Sequence, residues 1–132
     1  MKDFELKVDV KINDGGNSGI YFHTAYQEEG WPDAGHEVQV NDTHKDPVKT
    51  GSLYNVVKIF ESAGKCNEWF TMHIVVQGDT LRVSVNDKLL YEYVQPPGVT
   101  IPRRINQGVI AFQQHDPGSV VQYRNILLKK TE

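Results

Sequence analysis

The stretch Phe4-Glu5-Leu6-Lys7-Val8-Asp9-Val10-Lys11-Ile12 decides the fold class, because apolar and charged residues alternate in it without a fault. Successive side chains of a β-strand point to opposite faces of a sheet, so this alternation places one face in a core and the other in solvent. The following Asn13-Asp14-Gly15-Gly16 contains residues that tolerate positive φ and lets the chain reverse. The segment therefore predicts a β-strand that ends in a turn.

The same pattern recurs along the rest of the chain, and no window of about 11 residues carries a capped helical stripe. Further strands are expected at residues 19–25, 36–41, 51–60, 70–76, 81–85, 89–94, 108–115 and 120–130. Strands at this spacing predict a single all-β domain over residues 1–132, an antiparallel sandwich or barrel. The core is expected to contain Leu6, Val8, Val10, Ile20, Phe22, Val38, Val40, Ile74, Val83, Val85, Ile110 and Phe112.

Composition argues against several classes of function. The 132 residues include 14 basic and 17 acidic side chains, and the resulting net charge of -3 argues against a nucleic-acid binder. No apolar run approaches the roughly 18 residues that a membrane span needs. The single cysteine, Cys66, cannot form an internal disulfide.

Side-chain parity predicts that polar residues from three strands share one face of a sheet. If Ile20, Val38 and Ile110 point into the core, the polar residues beside them project the other way. The resulting outward pairs are Tyr21 with His23, Glu37 with Gln39, and Gln113 with His115. Tyr54 would extend this face, and the ring of Trp31 could stack on an apolar sugar face. Planar donors and acceptors of this kind indicate a ligand rich in hydroxyl groups, so carbohydrate is the predicted partner.

Two long polar loops, at residues 26–35 and 42–50, are candidates for a functional role because antiparallel neighbours do not need them. The second loop adds Asp42 and His44 to the candidate residues. Two histidines and a carboxylate could in principle hold a metal ion, but no recognised metal-ligand spacing is present. No cofactor is predicted, and a divalent cation is left open. A Glu–His pair that acts as base and acid is better supported by these residues.

Four motifs then occur in order along the chain. They are Asn17-Ser18-Gly19-Ile20-Tyr21-Phe22, Gly35-His36-Glu37-Val38-Gln39-Val40-Asn41-Asp42, Thr50-Gly51-Ser52-Leu53-Tyr54, and Gln113-Gln114-His115 followed by Tyr123-Arg124-Asn125-Ile126. From about Phe4 to Lys130 the chain closely resembles the 3-keto-disaccharide hydrolase domain family. That resemblance implies a concanavalin A-like jelly roll of two antiparallel sheets. It also implies a bacterial periplasmic or secreted location, with the signal segment absent here.

The resemblance also implies a chain that begins later than its relatives. Family members usually carry an N-terminal stretch before the position that Phe4 occupies here, so we expect a sheet edge or an apolar surface to be left uncovered. Because such edges recruit other chains, self-association through this edge is a further expectation.

The chemistry that the resemblance implies begins with the C2 proton of a 3-keto-glycoside, which the adjacent carbonyl makes acidic. A base removes this proton and the C1 substituent then leaves. Glu37 and His115 are the candidate base and acid, and Gln39, Gln113 or Arg124 would stabilise the enolate. The predicted substrate contacts are Tyr21, His23, Trp31, Gln39, Asp42, His44, Tyr54, Gln113 and Arg124.

Three alternatives remain open from the sequence. A direct glycosidase would need a second carboxylate opposite Glu37, and Asp42 is the candidate for it. A carbohydrate-binding module without catalytic activity would present the same polar face. A structural domain that binds another protein would instead expose an apolar patch.

Overall fold

The computed structural model describes residues 1–114 and 116–131, in which eight β-strands and no helix occur. The strands are β1 (Phe4–Ile12), β2 (Ser18–Thr24), β3 (His36–Val40), β4 (Phe70–Gln77), β5 (Thr80–Val85), β6 (Lys88–Val94), β7 (Val109–Phe112) and β8 (Val121–Lys130). They form a five-stranded sheet in the order β6-β5-β4-β1-β8 and a three-stranded sheet in the order β3-β2-β7. All strand pairs are antiparallel, so the predicted all-β class is confirmed.

The core lies between the two sheets and is built from one face of each strand. Every second residue of β1, from Phe4 to Ile12, is buried, as the alternation predicts. The predicted core positions on β1 to β5 are likewise buried. Ile110 and Phe112 are only half-buried and pack against the rim of the core, because β7 is short and has a partner on one side alone.

The strands β2 and β3 are buried along their whole length instead of alternating. Residues 50–54 run beside β3 and cover its free edge. The backbone N–H groups of Gly51 and Tyr54 donate to the carbonyls of Gln39 and Glu37, each at 2.9 Å. The predicted strand at residues 51–60 is therefore wrong: after this short run the chain turns back on itself, with Val57 paired to Leu53 by an isolated bridge.

Strand β8, at one edge of the five-stranded sheet, has apolar side chains that are exposed to solvent. On β8, Ile126, Leu127 and Leu128 are each at least 50% exposed. Strand β7 of the three-stranded sheet packs against the first part of β8, where Phe112 contacts Tyr123. The later residues of β8 are exposed. Across the part of the chain described here, no helix has the length and apolar character to span a membrane.

Candidate functional site

A cavity of about 290 Å³ lies on the outer face of the three-stranded sheet. The cavity is lined by side chains from strands and by side chains from loops. The sequence-predicted residues in its wall are Tyr21, Trp31, Glu37, Gln39, Tyr54 and Gln113. Three further residues, Asn17, Asp46 and Arg103, complete the lining and were not among the predicted site residues.

Antiparallel pairing aligns the polar residues at the floor of the cavity. Tyr21 on β2 lies directly opposite Glu37 on β3, and Gly19 lies opposite Gln39. Directly paired residues share a face, so the side chains of Tyr21, Glu37 and Gln39 all project into the cavity. The amide of Gln39 donates to Oδ1 of Asn17 at 3.0 Å, which fixes its orientation.

Glu37 is the buried carboxylate of this cavity, with 7% of its surface exposed. Burial raises the pKa of its carboxyl to about 7, while the hydrogen bond from Tyr21 and the charge of Arg103 act in the opposite direction. At neutral pH the carboxyl therefore exists in both protonation states, as a group that both takes and returns a proton requires.

Gly19 forms the surface against which the Glu37 side chain lies. A Cβ atom at this position would be 2.1 Å from Oε2 and 2.8 Å from Cδ of Glu37. No other residue type leaves room for the carboxylate where it stands. The glycine is needed for this close approach rather than for an unusual backbone conformation.

Arg103 brings a positive charge to the cavity and holds one of its loops. Its guanidinium donates to the carbonyls of Pro32 at 2.8 Å and Gly35 at 3.2 Å. These bonds fasten the 26–35 loop, which carries Trp31 over the cavity with 54% of its surface exposed. Nothing in the local sequence around Arg103 indicates this role, because the contact joins residues far apart in the chain.

Asp46 is the second carboxylate in the cavity wall. It lies in the 42–50 loop, and its Oδ1 accepts a hydrogen bond from the backbone N–H of Val48 at 3.0 Å. Its negative charge contributes to the raised pKa of Glu37. The length of the loop predicts a functional segment, but parity arguments apply only to strands and could not single out Asp46.

The predicted position of His23 on the cavity face is wrong. Between Tyr21 and Thr24 the pairing of β2 with β7 shifts register, and His23 has a φ of 55°. This bulge turns the imidazole into the protein, where its ring nitrogens contact the carbonyl of Lys2 and the N–H of Asn106. The ring packs against Phe4 and Phe22 and belongs to the core.

Arg124 also lies elsewhere than predicted. It projects from the outer face of the five-stranded sheet, where its guanidinium stacks 3.7 Å from the ring centroid of Trp69. Its Nε is 3.6 Å from Oδ2 of Asp9. The core between the two sheets separates this residue from Glu37, so Arg124 cannot stabilise an enolate there.

Asp42 and His44 do not line the cavity that contains Glu37. Asp42 is buried and accepts hydrogen bonds from the hydroxyls of Thr50 and Ser62. These bonds connect the start of the 42–50 loop to its end and to the segment around Ser62, so the role of Asp42 is structural. A second carboxylate for a direct glycosidase would therefore be Asp46 rather than Asp42. His44 is instead 3.6 Å from a carboxylate oxygen of Asp116.

His115, the predicted partner of Glu37, lies outside the described residues. Among those that are described, no three His, Cys, Asp or Glu side chains gather closely enough to hold a metal ion.

The sequence profile of the 3-keto-alpha-glucoside-1,2-lyase-like domain matches residues 1–129. The chain belongs to this family. The resemblance seen in the four motifs is thereby confirmed, and the chain is a member of a carbohydrate-active family. No curated protein sequence matches the domain significantly.

Solved structures share the fold of this chain at low sequence identity. Two proteins from Parabacteroides distasonis ATCC 8503, both carrying a provisional assignment as glycosyl hydrolases, have TM-scores of 0.81 and 0.75. Their identities are 21% and 22%, and the aligned regions cover 98% of this chain and 72% and 79% of theirs. The carbohydrate-binding module CBM66 from Bacillus subtilis has a TM-score of 0.68 at 12% identity, covering 98% of this chain and 76% of its own. The predicted jelly roll is therefore confirmed.

Proposed function

We propose that the domain cleaves 3-keto-glycosides by removing the C2 proton and expelling the C1 substituent, with Glu37 as the base. The observation that carries the proposal is a buried carboxylate with a pKa of about 7 beside a fixed guanidinium, in a cavity with aromatic walls. Membership of the lyase-like family supports the choice of a keto sugar.

The proposed reaction needs three groups around the reacting sugar. The Glu37 carboxylate takes the C2 proton, and the electrons of the C–H bond move into the C3 carbonyl to give an enolate. Collapse of this enolate forms the C1–C2 double bond and breaks the C1–O bond, and the departing oxygen takes up a proton. Addition of water across the new double bond would convert this elimination into net hydrolysis.

Arg103 replaces Arg124 in the proposed stabilisation of the enolate. Its guanidinium lies in the cavity and is held by two backbone carbonyls, so little rearrangement is needed as charge develops. Gln39 and Gln113 are the neutral donors in the same wall.

The proton for the leaving oxygen has two candidate sources in this proposal. His115 remains the candidate that the sequence suggests, two residues beyond Gln113. Protonated Glu37 is the other, because a carboxyl with a pKa of about 7 can return the proton that it has removed.

A carbohydrate-binding module without catalytic activity is the second candidate function. The exposed ring of Trp31 and the half-exposed ring of Tyr54 at the cavity favour it, since such rings stack on sugar faces whether or not a reaction follows. The two functions differ in whether Glu37 does more than contact a hydroxyl group.

The test is incubation of the wild-type protein with a panel of 3-keto-glucosides, with the corresponding unoxidised glucosides as matched controls. We expect release of the C1 substituent from the keto sugars alone, because only they have an acidic C2 proton. A parallel series with a chelator tests for a divalent cation. Binding of keto sugars without release of any product would favour the binding module and contradict the proposal.

A further inference from the structure

The segment that carries Arg103 contains no strand or helix. It connects β6 to β7 over residues 95–108 and includes three prolines, which cannot donate to a sheet ladder. Other contacts must therefore hold the backbone from which the guanidinium of Arg103 reaches into the Glu37 cavity. Preorganised donors stabilise developing charge because they need no rearrangement, so these contacts matter for the proposed reaction.

Gln95 holds this segment by binding both backbone groups of Ile105. The N–H of Ile105 donates to Oε1 of Gln95 at 2.6 Å, and Nε2 of Gln95 donates to the carbonyl of Ile105 at 3.2 Å. Two residues of an antiparallel ladder exchange the same pair of bonds through their backbones, so the side-chain amide here takes the place of a strand. Ile105 is buried in the core, where its backbone groups need such partners.

Gln95 is itself fixed to the five-stranded sheet. It directly follows the last residue of β6, and its backbone N–H donates to the carbonyl of Asp79, at the turn between β4 and β5, at 2.8 Å. The residues that line the Glu37 cavity in the described part of the chain do not include it. The two hydrogen bonds to Ile105 thus connect the backbone two residues after Arg103 to the larger sheet.

Arg103 is also tied to the 26–35 loop. The backbone N–H of Gly35 donates to the carbonyl of Pro102 at 3.0 Å, and the guanidinium binds two carbonyls of the same loop. Arg103 therefore lies between two anchors. The loop is a connecting segment at the surface, whereas Gln95 is the anchor that joins Arg103 to a sheet.

We infer that Gln95 is a positioning residue for the reaction, because it fixes the segment that presents the guanidinium of Arg103 to the reacting sugar. This inference rests on the proposed function, in which Arg103 stabilises the enolate. Gln95 acts through Ile105 and the backbone of Arg103 rather than by contact with the substrate. A guanidinium held in this way needs little rearrangement as charge develops on the sugar.

The carboxyl of Glu37 reports where the charge of Arg103 lies. The groups that act on this carboxyl besides burial are Tyr21, Arg103 and Asp46, and the charge of Arg103 lowers its pKa. Displacement of the guanidinium should therefore raise the pKa of Glu37. This change can be measured without any enzymatic activity, and a purely structural role of Gln95 would not produce it.

The test is a 13C NMR titration of the Glu37 carboxyl carbon in the wild type and in Gln95→Met, which keeps the length of the side chain but lacks the amide. The N–H of Asn106 donates separately to Nδ1 of His23, so the segment should stay attached and the fold should persist. We expect the pKa of Glu37 to rise by about 0.5 or more, a part of the roughly 1–3 by which an adjacent opposite charge lowers a carboxyl pKa. We also expect kcat for a 3-keto-glucoside to fall about tenfold with little change in KM, because the enolate forms only after binding.

Gln122→Met, at an exposed position of β8, is the matched control and should change neither quantity. Arg103→Met should raise the pKa of Glu37 at least as much as Gln95→Met does, and the double variant should show no further rise. An unchanged pKa in Gln95→Met, whatever its melting temperature, or an additive rise in the double variant would overturn the inference. An unchanged pKa beside a wild type that converts keto sugars refutes the inference alone, whereas a wild type that converts none refutes the proposed function.

Discussion

Tyr21 on β2 and Glu37 on β3 are direct partners across the ladder, and hydrogen bonding by the tyrosine hydroxyl lowers the pKa of the glutamate carboxyl against the effect of burial. Burial raises the pKa of Glu37 to about 7, and this hydrogen bond limits the rise. The tyrosine keeps its own proton, because burial and the neighbouring carboxylate raise its pKa well above the usual value. The pair therefore sets the pH at which the proposed base becomes active.

Replacing Tyr21 by Phe should move the acidic limb of the pH–rate profile to higher pH. The wild-type profile is expected to rise with pH around a midpoint of about 7 as Glu37 loses its proton. Without the donated hydrogen bond the charged carboxylate is less stable, so its pKa rises further. The measurement is kcat/KM between pH 5 and about 9, with Tyr54→Phe as the control for loss of a cavity hydroxyl. A midpoint that stays in place or falls in Tyr21→Phe would contradict this account.

Gly19→Ala should impair the reaction while leaving the fold intact. The new methyl group would lie 2.1 Å from Oε2 of Glu37, so the carboxylate must move towards the open cavity. Displacing a general base in this way should lower kcat by about tenfold or more. This loss is smaller than the roughly 100- to 10,000-fold rate contribution that a general base makes in full. Better solvation should also lower the pKa of Glu37 and shift the pH profile in the direction opposite to that of Tyr21→Phe.

Gly118→Ala is the matched control for this variant, because a Cβ atom there meets nothing within 4 Å. Unchanged kcat and pH profile in Gly19→Ala, with a normal melting temperature in both variants, would show that Glu37 does not depend on this contact.

His36 should make the protein sensitive to acid. It is 1% exposed, packs against Phe22 and Tyr93, and neither ring nitrogen has a partner among the described residues. Burial, with the charge of Arg103, lowers its pKa from 6.5 to about 4. Between about pH 6.5 and pH 4 His36 is protonated in the unfolded chain but not in the folded protein. The free energy of unfolding therefore decreases as the pH falls through this range, by about 3 kcal/mol in all.

Urea unfolding of wild type and His36→Leu at pH 7 and pH 5 measures this effect. We expect the free energy of unfolding to drop less between these pH values in His36→Leu. Met72→Leu serves as the control, since Met72 is a buried residue without a titratable group and its substitution should leave the wild-type slope unchanged. An identical change in the free energy of unfolding between pH 7 and pH 5 in wild type and His36→Leu would show that His36 does not cause the acid sensitivity.

Self-association through β8 remains a prediction. The strand lies at the edge of its sheet, and Ile126, Leu127 and Leu128 are exposed there. Covering these side chains by a second copy would remove apolar surface from water. Sedimentation should show dimers or larger species that Leu127→Lys reduces, whereas Leu89→Lys on the opposite edge strand β6 should not. A monomeric wild type at high concentration would contradict the prediction.

The strands were predictable because their two faces meet different surroundings. In β1 the inner residues enter the core and the outer ones meet solvent, so the alternation is visible in the sequence. Residues 51–60 are as apolar as a strand, yet the bridge between Leu53 and Val57 folds them back. That turn depends on tertiary contacts with β3, which local sequence does not encode.

The site was predictable where it lies on strands and not where it depends on loops or on a bulge. Parity places Tyr21, Glu37 and Gln39 on one face, and all three line the cavity. The same rule fails at His23 because an extra residue in the ladder rotates the side chain inwards. Arg103 enters the cavity from a segment distant in sequence, so no local pattern could place it beside Glu37.

Single-turnover kinetics of Glu37→Gln, beside a binding titration with the same 3-keto-glucoside, tests the central claim most directly. The glutamine keeps the shape and most of the hydrogen bonds of the side chain but cannot take a proton. We expect turnover to fall at least about 100-fold while the affinity changes less than about fivefold, because general bases contribute far more than one contact. Turnover within a few-fold of wild type would contradict the claim that Glu37 is the base.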